Sequence, residues 1–330
     1  AMFTSVAAFE WRFQVRSPVF WVGVLLFFLL AFGATTVDTI QIGSRGNVNI
    51  NSPFAIVQTL GIMGIFAVFV VVAMVAGTVI RDDETGFAPI VRATSVTKAS
   101  YLLGRFIGAT AAAFCVLLAV PIAIAIGASM PWLDPARLGP FQPAHYLYAA
   151  FAFSLPTLLI LAAGYFALAT ATRSMMWTYL GAVGSIVLYF TMRVLLRDPA
   201  HDTASALLDP FGVAALQQAT KYWTAAERNT RLPELSGLLL ANRALWAGIA
   251  LAMVTGKKSG RPEDAISSAQ AAWGIVVVVV SGLWIAALFA GHNASTATVK
   301  LPGVRVTLQL GEKESGVGKR DTRGRDHNDD

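Results

Sequence analysis

Residues 57–80 read VQTLGIMGIFAVFVVVAMVAGTVI, an apolar run without a charged side chain. An α-helix rises about 1.5 Å per residue, so roughly 20 apolar residues cross the hydrocarbon core of a bilayer, which is about 30 Å thick. Backbone polar groups in lipid must find their hydrogen bonds inside the protein, and a continuous apolar run favours a helix over the alternating pattern of a barrel strand. This stretch therefore predicts a membrane-spanning helix.

Comparable apolar runs lie on both sides of this stretch, separated by short polar loops. They cover residues 18–36, 106–128, 147–172, 177–196 and 238–255, with a further run at 268–290. The chain is 55% hydrophobic and only 13% charged. We therefore predict an all-α, polytopic transmembrane bundle of six or seven spans. Seven are favoured because Lys257, Lys258 and Arg261 would then form an inside loop; six would result if 238–255 only dips into the membrane.

The placement of Arg and Lys predicts the orientation, because short cytoplasmic loops are enriched in these residues. With the N-terminus inside, the short outside loops hold only Arg45 and Arg137. The short inside segments hold Arg12, Arg16, Arg81, Arg92, Lys98, Arg105 and Arg173. This distribution predicts a multi-pass protein of the bacterial inner membrane with a cytoplasmic N-terminus. The net charge of +6 is explained by topology and does not indicate a nucleic-acid partner.

The chain begins and ends with polar segments. Residues 1–17 predict an amphipathic helix lying in the membrane interface, in contact with lipid, although an ordinary polar start remains an alternative. Val6, Phe9 and Phe13 share one helical face, Trp11 lies beside them, and the polar remainder is Glu10, Arg12, Gln14 and Arg16. Residues 291–330 form a polar tail, with a short strand pair expected over 299–310 and a disordered end.

No arrangement of residues points to covalent chemistry. The chain lacks a P-loop, and its four histidines are isolated in loops, so we expect neither ATP hydrolysis by this chain, nor an enzyme, nor a metal or other cofactor. The spans carry almost no ionisable groups, which disfavours ion-coupled transport. Arg193 is the exception in the fifth run, and Arg243 is expected to extend to the membrane surface from the outer end of the sixth.

Residues 81–105, RDDETGFAPIVRATSVTKASYLLGR, form the most specific segment. A charged cluster and Gly86 precede a short helix, and a second helix leads into the next run. The segment resembles the cytoplasmic loop of permease subunits of type-2 ABC exporters, with Ser95 in place of a proline and Arg105 in place of a lysine. Residues 9–18 are similar to the interfacial helix of these permeases. Residues 208–212 and 242–246 are similar to a subgroup in which some members carry a zinc aminopeptidase domain, absent here.

The resemblance implies a permease that works with a separate ATP-binding subunit and with a second permease copy or half. ATP-driven closure of the ATPase pair would push on the loop and on the N-terminal helix, with export as the expected direction. The residues expected to couple to the ATPase are Arg81, Glu84, Gly86, Arg92, Lys98 and Tyr101. The residues of the expected interfacial helix are Phe9, Trp11, Arg12, Phe13 and Arg16. The alternative is a membrane scaffold or assembly protein without transport activity, in which the loop is a solvated connector.

Small residues recur at four-residue spacing at the start of the third run. Gly104, Gly108 and Ala112 share one helical face. Such spacing allows another helix to approach closely. The partner is either a helix of the same chain or a second copy.

Overall fold

The computed structural model describes residues 2–37, 39–40, 42–84, 86, 98–255, 296–301 and 304–309. Its long helices are α1 (Met2–Arg16), α2 (Pro18–Thr36), α3 (Pro53–Val71), α4 (Gly77–Glu84), α5 (Lys98–Gly127), α6 (Pro143–Tyr148) continuing into α7 (Leu155–Thr172), and α8 (Met175–Leu195). Shorter helices α9 (Asp202–Leu208), α10 (Val213–Ala219) and α11 (Ala225–Thr230) precede α12 (Gly237–Thr255). The segment 87–97 and the predicted run at 268–290 lie outside the described residues.

In the part of the chain that the structure describes, five helical stretches are long and apolar enough to cross a membrane. They are Pro18–Thr36, Pro53–Arg81, Ser100–Gly127, Pro143–Thr172 and Met175–Leu195. The prediction of an all-α, polytopic membrane bundle is thereby confirmed. The apolar part of α12, Gly237–Ala252, is shorter than these five.

Serine–proline pairs begin two of the long helices. Ser17 precedes α2, and its hydroxyl accepts a hydrogen bond from the backbone N–H of Phe20. Ser52 caps α3 in the same way through the N–H of Ala55. A serine oxygen satisfies an amide that has no partner in the helix, and a proline in the first turn needs no donor. The sequence therefore specifies where both helices begin.

The five stretches differ in how deeply they are buried. The apolar stretches of α3, α5 and α6–α7 are 67%, 61% and 61% buried, whereas those of α2 and α8 are only 28% and 17% buried. The first three helices therefore form the centre of the bundle, with α2 and α8 at its periphery. The outward faces of α2 and α8 expose large apolar side chains such as Trp21, Leu25, Trp177 and Val187, which is expected where lipid or another membrane subunit is the surrounding medium.

Two central helices are interrupted by π-helical segments. Val72–Ala76 joins α3 to α4, and Ala149–Ser154 joins α6 to α7. The first segment packs against α7 and the second against α3. A π-helical turn is rare and often marks a functional position in a helix.

The loops at the other end of the bundle from α4 are tied to one another. Asn51 and Gly139 exchange two hydrogen bonds of 2.7 Å. The side chain of Asn229 accepts a hydrogen bond from the N–H of Asn49 and donates one to the carbonyl of Asn47. The segments after α2, after α5 and at α11 therefore meet at the start of α3.

A second compact unit begins at residue 279. Within it, strands β1 (Thr296–Leu301) and β2 (Val304–Gln309) pair antiparallel. This hairpin begins three residues before the strand pair predicted at 299–310. The rest of the predicted tail lies outside the described residues.

Candidate functional site

The N-terminal helix α1 has two different faces. Phe9, Arg12, Phe13 and Arg16, at i, i+3, i+4 and i+7, are all exposed, while Glu10 and Gln14 are buried against the bundle. The four polar residues that form the remainder of this helix therefore lie on two of its sides. The arginines share the aromatic face, and the glutamate and the glutamine point inward.

The buried carboxylate of Glu10 is the centre of a polar network, here called the Glu10 cluster, with Gln14, Arg81 and Arg105. Arg81 donates a 2.7 Å hydrogen bond to one carboxylate oxygen, and Arg105 lies 3.5 Å from the same oxygen. Gln14 donates to the other oxygen at 2.8 Å. Glu10 is 0% exposed. A carboxylate removed from water in this way needs such partners, because unpaired burial of a charge is very costly.

The Glu10 cluster also holds backbone carbonyls at the first π-helical segment. Gln14 donates a 3.0 Å hydrogen bond to the carbonyl of Met74, which lies in that segment. Arg105 donates to the carbonyl of Thr78 at 2.7 Å, and the Thr78 hydroxyl donates to the carbonyl of Val75 at 2.8 Å. Side chains from α1, α4 and α5 thus satisfy carbonyl groups where the regular α-helical pattern is interrupted.

Glycines allow α1 to lie directly on α5. A Cβ atom at Gly108 would lie 2.5 Å from the carbonyl oxygen of Ala7 and 2.9 Å from the Cβ of Glu10. A Cβ atom at Gly104 would lie 2.9 Å from the Cβ of Val6. The two glycines therefore contact α1 of the same chain, and Ala112, the third small residue, is fully buried.

Two of the residues expected to couple to an ATPase belong to the Glu10 cluster or border it. The guanidinium of Arg81 lies 3.8 Å from the ring centre of Phe13, and that of Arg105 lies 5.1 Å from the ring centre of Tyr101. Gly86 is exposed, with φ at +68°, a backbone angle that favours glycine. Glu84 ends α4 and Lys98 begins α5. Arg92 lies outside the described residues.

A second buried network, the Arg243 cluster, consists of Thr157, Asp209, Asn242 and Arg243. Arg243 is only 7% exposed, so the expectation that it extends to the membrane surface was wrong. Its Nη1 donates to the hydroxyl of Thr157 at 2.7 Å, and its Nε donates to the amide oxygen of Asn242 at 3.0 Å. The guanidinium also lies 5.4 Å from the ring centre of Phe153, in the second π-helical segment.

The turn between α9 and α10 completes the Arg243 cluster. The Asn242 amide donates to the carbonyls of Ala206 and Asp209, at 2.7 and 2.8 Å. The Asp209 carboxylate accepts hydrogen bonds from the N–H groups of Phe211 and Ala214. Burial raises the pKa of Asp209, and these two backbone bonds oppose that effect. The network fixes this turn to α7 and α12.

Both networks consist of guanidinium, carboxylate, amide and hydroxyl groups that hydrogen-bond to one another or to nearby backbone groups. Among the described residues, no group of three or more His, Cys, Asp or Glu side chains could hold a metal ion. The Glu10 cluster instead joins three helices through charged hydrogen bonds. Its two arginines lie on either side of the segment 82–104 in the sequence, so both ends of that segment are attached to α1.

Sequence reasoning did not identify Glu10, Gln14, Thr157 or Asn242 as buried polar positions. A signal was present in one case, since the Asn242-Arg243 pair interrupts an apolar run. A comparison of the chain with protein-family models finds no matching family, and a comparison with curated proteins finds no match.

Proposed function

We propose that this multi-pass membrane protein is the permease subunit of an ABC transporter, and that a separate ATPase subunit drives it through the segment 81–105. The observation that carries the proposal is the convergence of Arg81 and Arg105 on Glu10. Together with the resemblance of this segment to the cytoplasmic loop of type-2 ABC exporters, it supports a role for the segment in transmitting force.

The Glu10 cluster provides a route for that force. Arg81 is at the end of the second apolar stretch, Arg105 is near the start of the third, and Glu10 is on α1. The helix α1 passes into α2 through Ser17 alone, whose N–H donates to the carbonyl of Gln14 at 3.0 Å. A push on the segment between the two arginines would therefore reach three membrane helices at once.

The proposal includes the rest of the assembly. Two permease copies, or two related halves, form the pathway between them, and the weakly buried helices α2 and α8 offer apolar faces to lipid and to that second subunit. The N-terminus and the segment 81–105 lie in the cytoplasm of a bacterial cell, and the expected direction is export.

The test is whether a P-loop ATPase subunit co-purifies with this chain from its native membrane. Glu84→Lys and Gly86→Val are expected to leave membrane insertion intact and to reduce either recovery of the ATPase or its stimulation. Glu234→Lys is a matched control, because Glu234 is exposed in the segment between α11 and α12. Recovery and ATP turnover that match the wild type in both loop variants, at equal membrane abundance, would refute the coupling role.

A scaffold or assembly role is the second candidate, and the same experiment separates it from transport. A scaffold would co-purify with other membrane proteins and would not change the turnover of any ATPase. A permease subunit would change ATP turnover when it is reconstituted with its partner.

A further inference from the structure

The exposed face of α1 combines two kinds of side chain that rarely share a surface in water. Phe9 and Phe13 are 58% and 44% exposed, and Arg12 and Arg16 are exposed between and beside them. All four fall within one helical stripe. In the part of the chain that the structure describes, no acidic side chain forms an ion pair with Arg12 or Arg16.

The acidic residue of this helix cannot neutralise that face. Glu10 is the only acidic residue in residues 1–37 of the sequence. It is fully buried on the opposite side, where Arg81 and Arg105 already occupy it. The outward face of α1 therefore carries two positive charges beside two exposed aromatic rings.

The position of α1 places this face at the depth of the lipid headgroups. Ser17 alone separates α1 from α2, whose apolar stretch begins at Pro18. The end of a spanning helix lies at the boundary between hydrocarbon and water, so a helix joined to it by one residue lies at the same boundary. Aromatic rings there reach into the acyl layer, while arginines bind phosphate oxygens.

We propose that Phe9, Arg12, Phe13 and Arg16 form a binding surface for anionic phospholipid headgroups. The occupant is a lipid rather than a soluble anion because the two arginines alternate with apolar rings that only an acyl layer would cover. This inference does not depend on the ATPase partner, so it can succeed or fail separately from the proposed transport function.

The lipid-facing surface of α1 is connected to the Glu10 cluster through Arg81. Phe13 on the lipid side contacts the guanidinium of Arg81, and Arg81 pairs with Glu10 on the bundle side. A headgroup bound by α1 would stabilise this helix in its packed position against α5. It would thereby also stabilise the Glu10 cluster.

The experiment measures lipid preference directly. Purified, delipidated protein is mixed with equal amounts of phosphatidylglycerol and phosphatidylcholine and repurified, and the retained lipids are quantified by mass spectrometry. Wild-type protein is expected to retain phosphatidylglycerol preferentially. Arg12→Gln/Arg16→Gln should reduce the ratio about 25-fold, since each arginine near an anionic surface contributes about fivefold.

Two control variants make the result specific. Arg12→Lys/Arg16→Lys should keep most of the preference, because the charge remains. Arg45→Gln/Arg197→Gln removes two exposed arginines from other loops and should leave the ratio at the wild-type value. The proposal is overturned if wild-type protein retains both lipids equally, if the α1 variant keeps its preference, or if the loop control loses as much as the α1 variant does.

Discussion

At the scale of single residues, removal of the buried Glu10 carboxylate should destabilise the protein strongly. Glu10→Ala leaves Arg105 buried without its carboxylate, and breaking a buried ion pair typically costs about 3–5 kcal/mol. We expect a clear fall in the melting temperature in detergent, measured by the loss of monodisperse protein after heating. Glu234→Ala removes an exposed carboxylate and should have little effect. Equal melting temperatures for the two variants would contradict the role assigned to Glu10.

Gly212 offers a second test at this scale. Its φ is +74°, and a Cβ atom there would overlap the guanidinium of Arg243, which Thr157 and Asn242 hold in place. Gly212→Ala therefore adds backbone strain of about 1–2 kcal/mol and also displaces Arg243 from its hydrogen bonds.

Gly46 is the matched control for Gly212. Its φ is +66°, but a Cβ atom there would meet nothing within 4 Å. Gly46→Ala should show the backbone strain alone. The difference between the two melting temperatures measures the displacement of Arg243, and a difference near zero would mean that the guanidinium moves aside freely.

At the scale of the elements, the contact between α1 and α5 can be tested with one methyl group. Gly108→Ala places a Cβ atom against α1, and such overpacking costs about 1–3 kcal/mol. Gly184 lies in another apolar helix with nothing near its missing Cβ, so Gly184→Ala should be neutral or stabilise by up to about 1 kcal/mol. Thermal unfolding of both variants in the same detergent gives the comparison. A stable Gly108→Ala variant would show that α1 does not depend on this close approach.

The elements also show how far sequence reasoning reaches. Helix length and the Ser–Pro starts at Ser17 and Ser52 are local properties, so they could be predicted. The burial of Glu10 depends on Arg81, 71 positions away, and on Arg105, and no local pattern contains that information. The π-helical segment Val72–Ala76 was not predicted either, and the Gln14 side chain that satisfies the Met74 carbonyl there comes from another helix.

At the scale of the whole molecule, thiol labelling can test which side of the membrane the N-terminus faces. The Arg and Lys distribution predicts a cytoplasmic N-terminus. In a Cys115→Ala background, Arg45→Cys should react with an impermeant thiol reagent in intact cells, and Ser5→Cys should react only after the membrane is opened. Both positions are exposed. Arg45 is chosen over the neighbouring Ser44 because Ser44 is buried and would label poorly. The reverse pattern would invert the topology.

The π-helical segment Val72–Ala76 has a geometric consequence for the end of α4. A π-turn takes up about one residue more than an α-turn. If the segment wound back into regular α-helix, everything after it would rotate by roughly 100° and advance by about 1.5 Å. Arg81 would then face away from Glu10, and the ion pair that attaches the start of the segment 82–104 to α1 would be broken. The hydrogen bond from Gln14 to Met74 opposes this rewinding. The helix α1 therefore holds the π-helical conformation that keeps Arg81 beside Glu10.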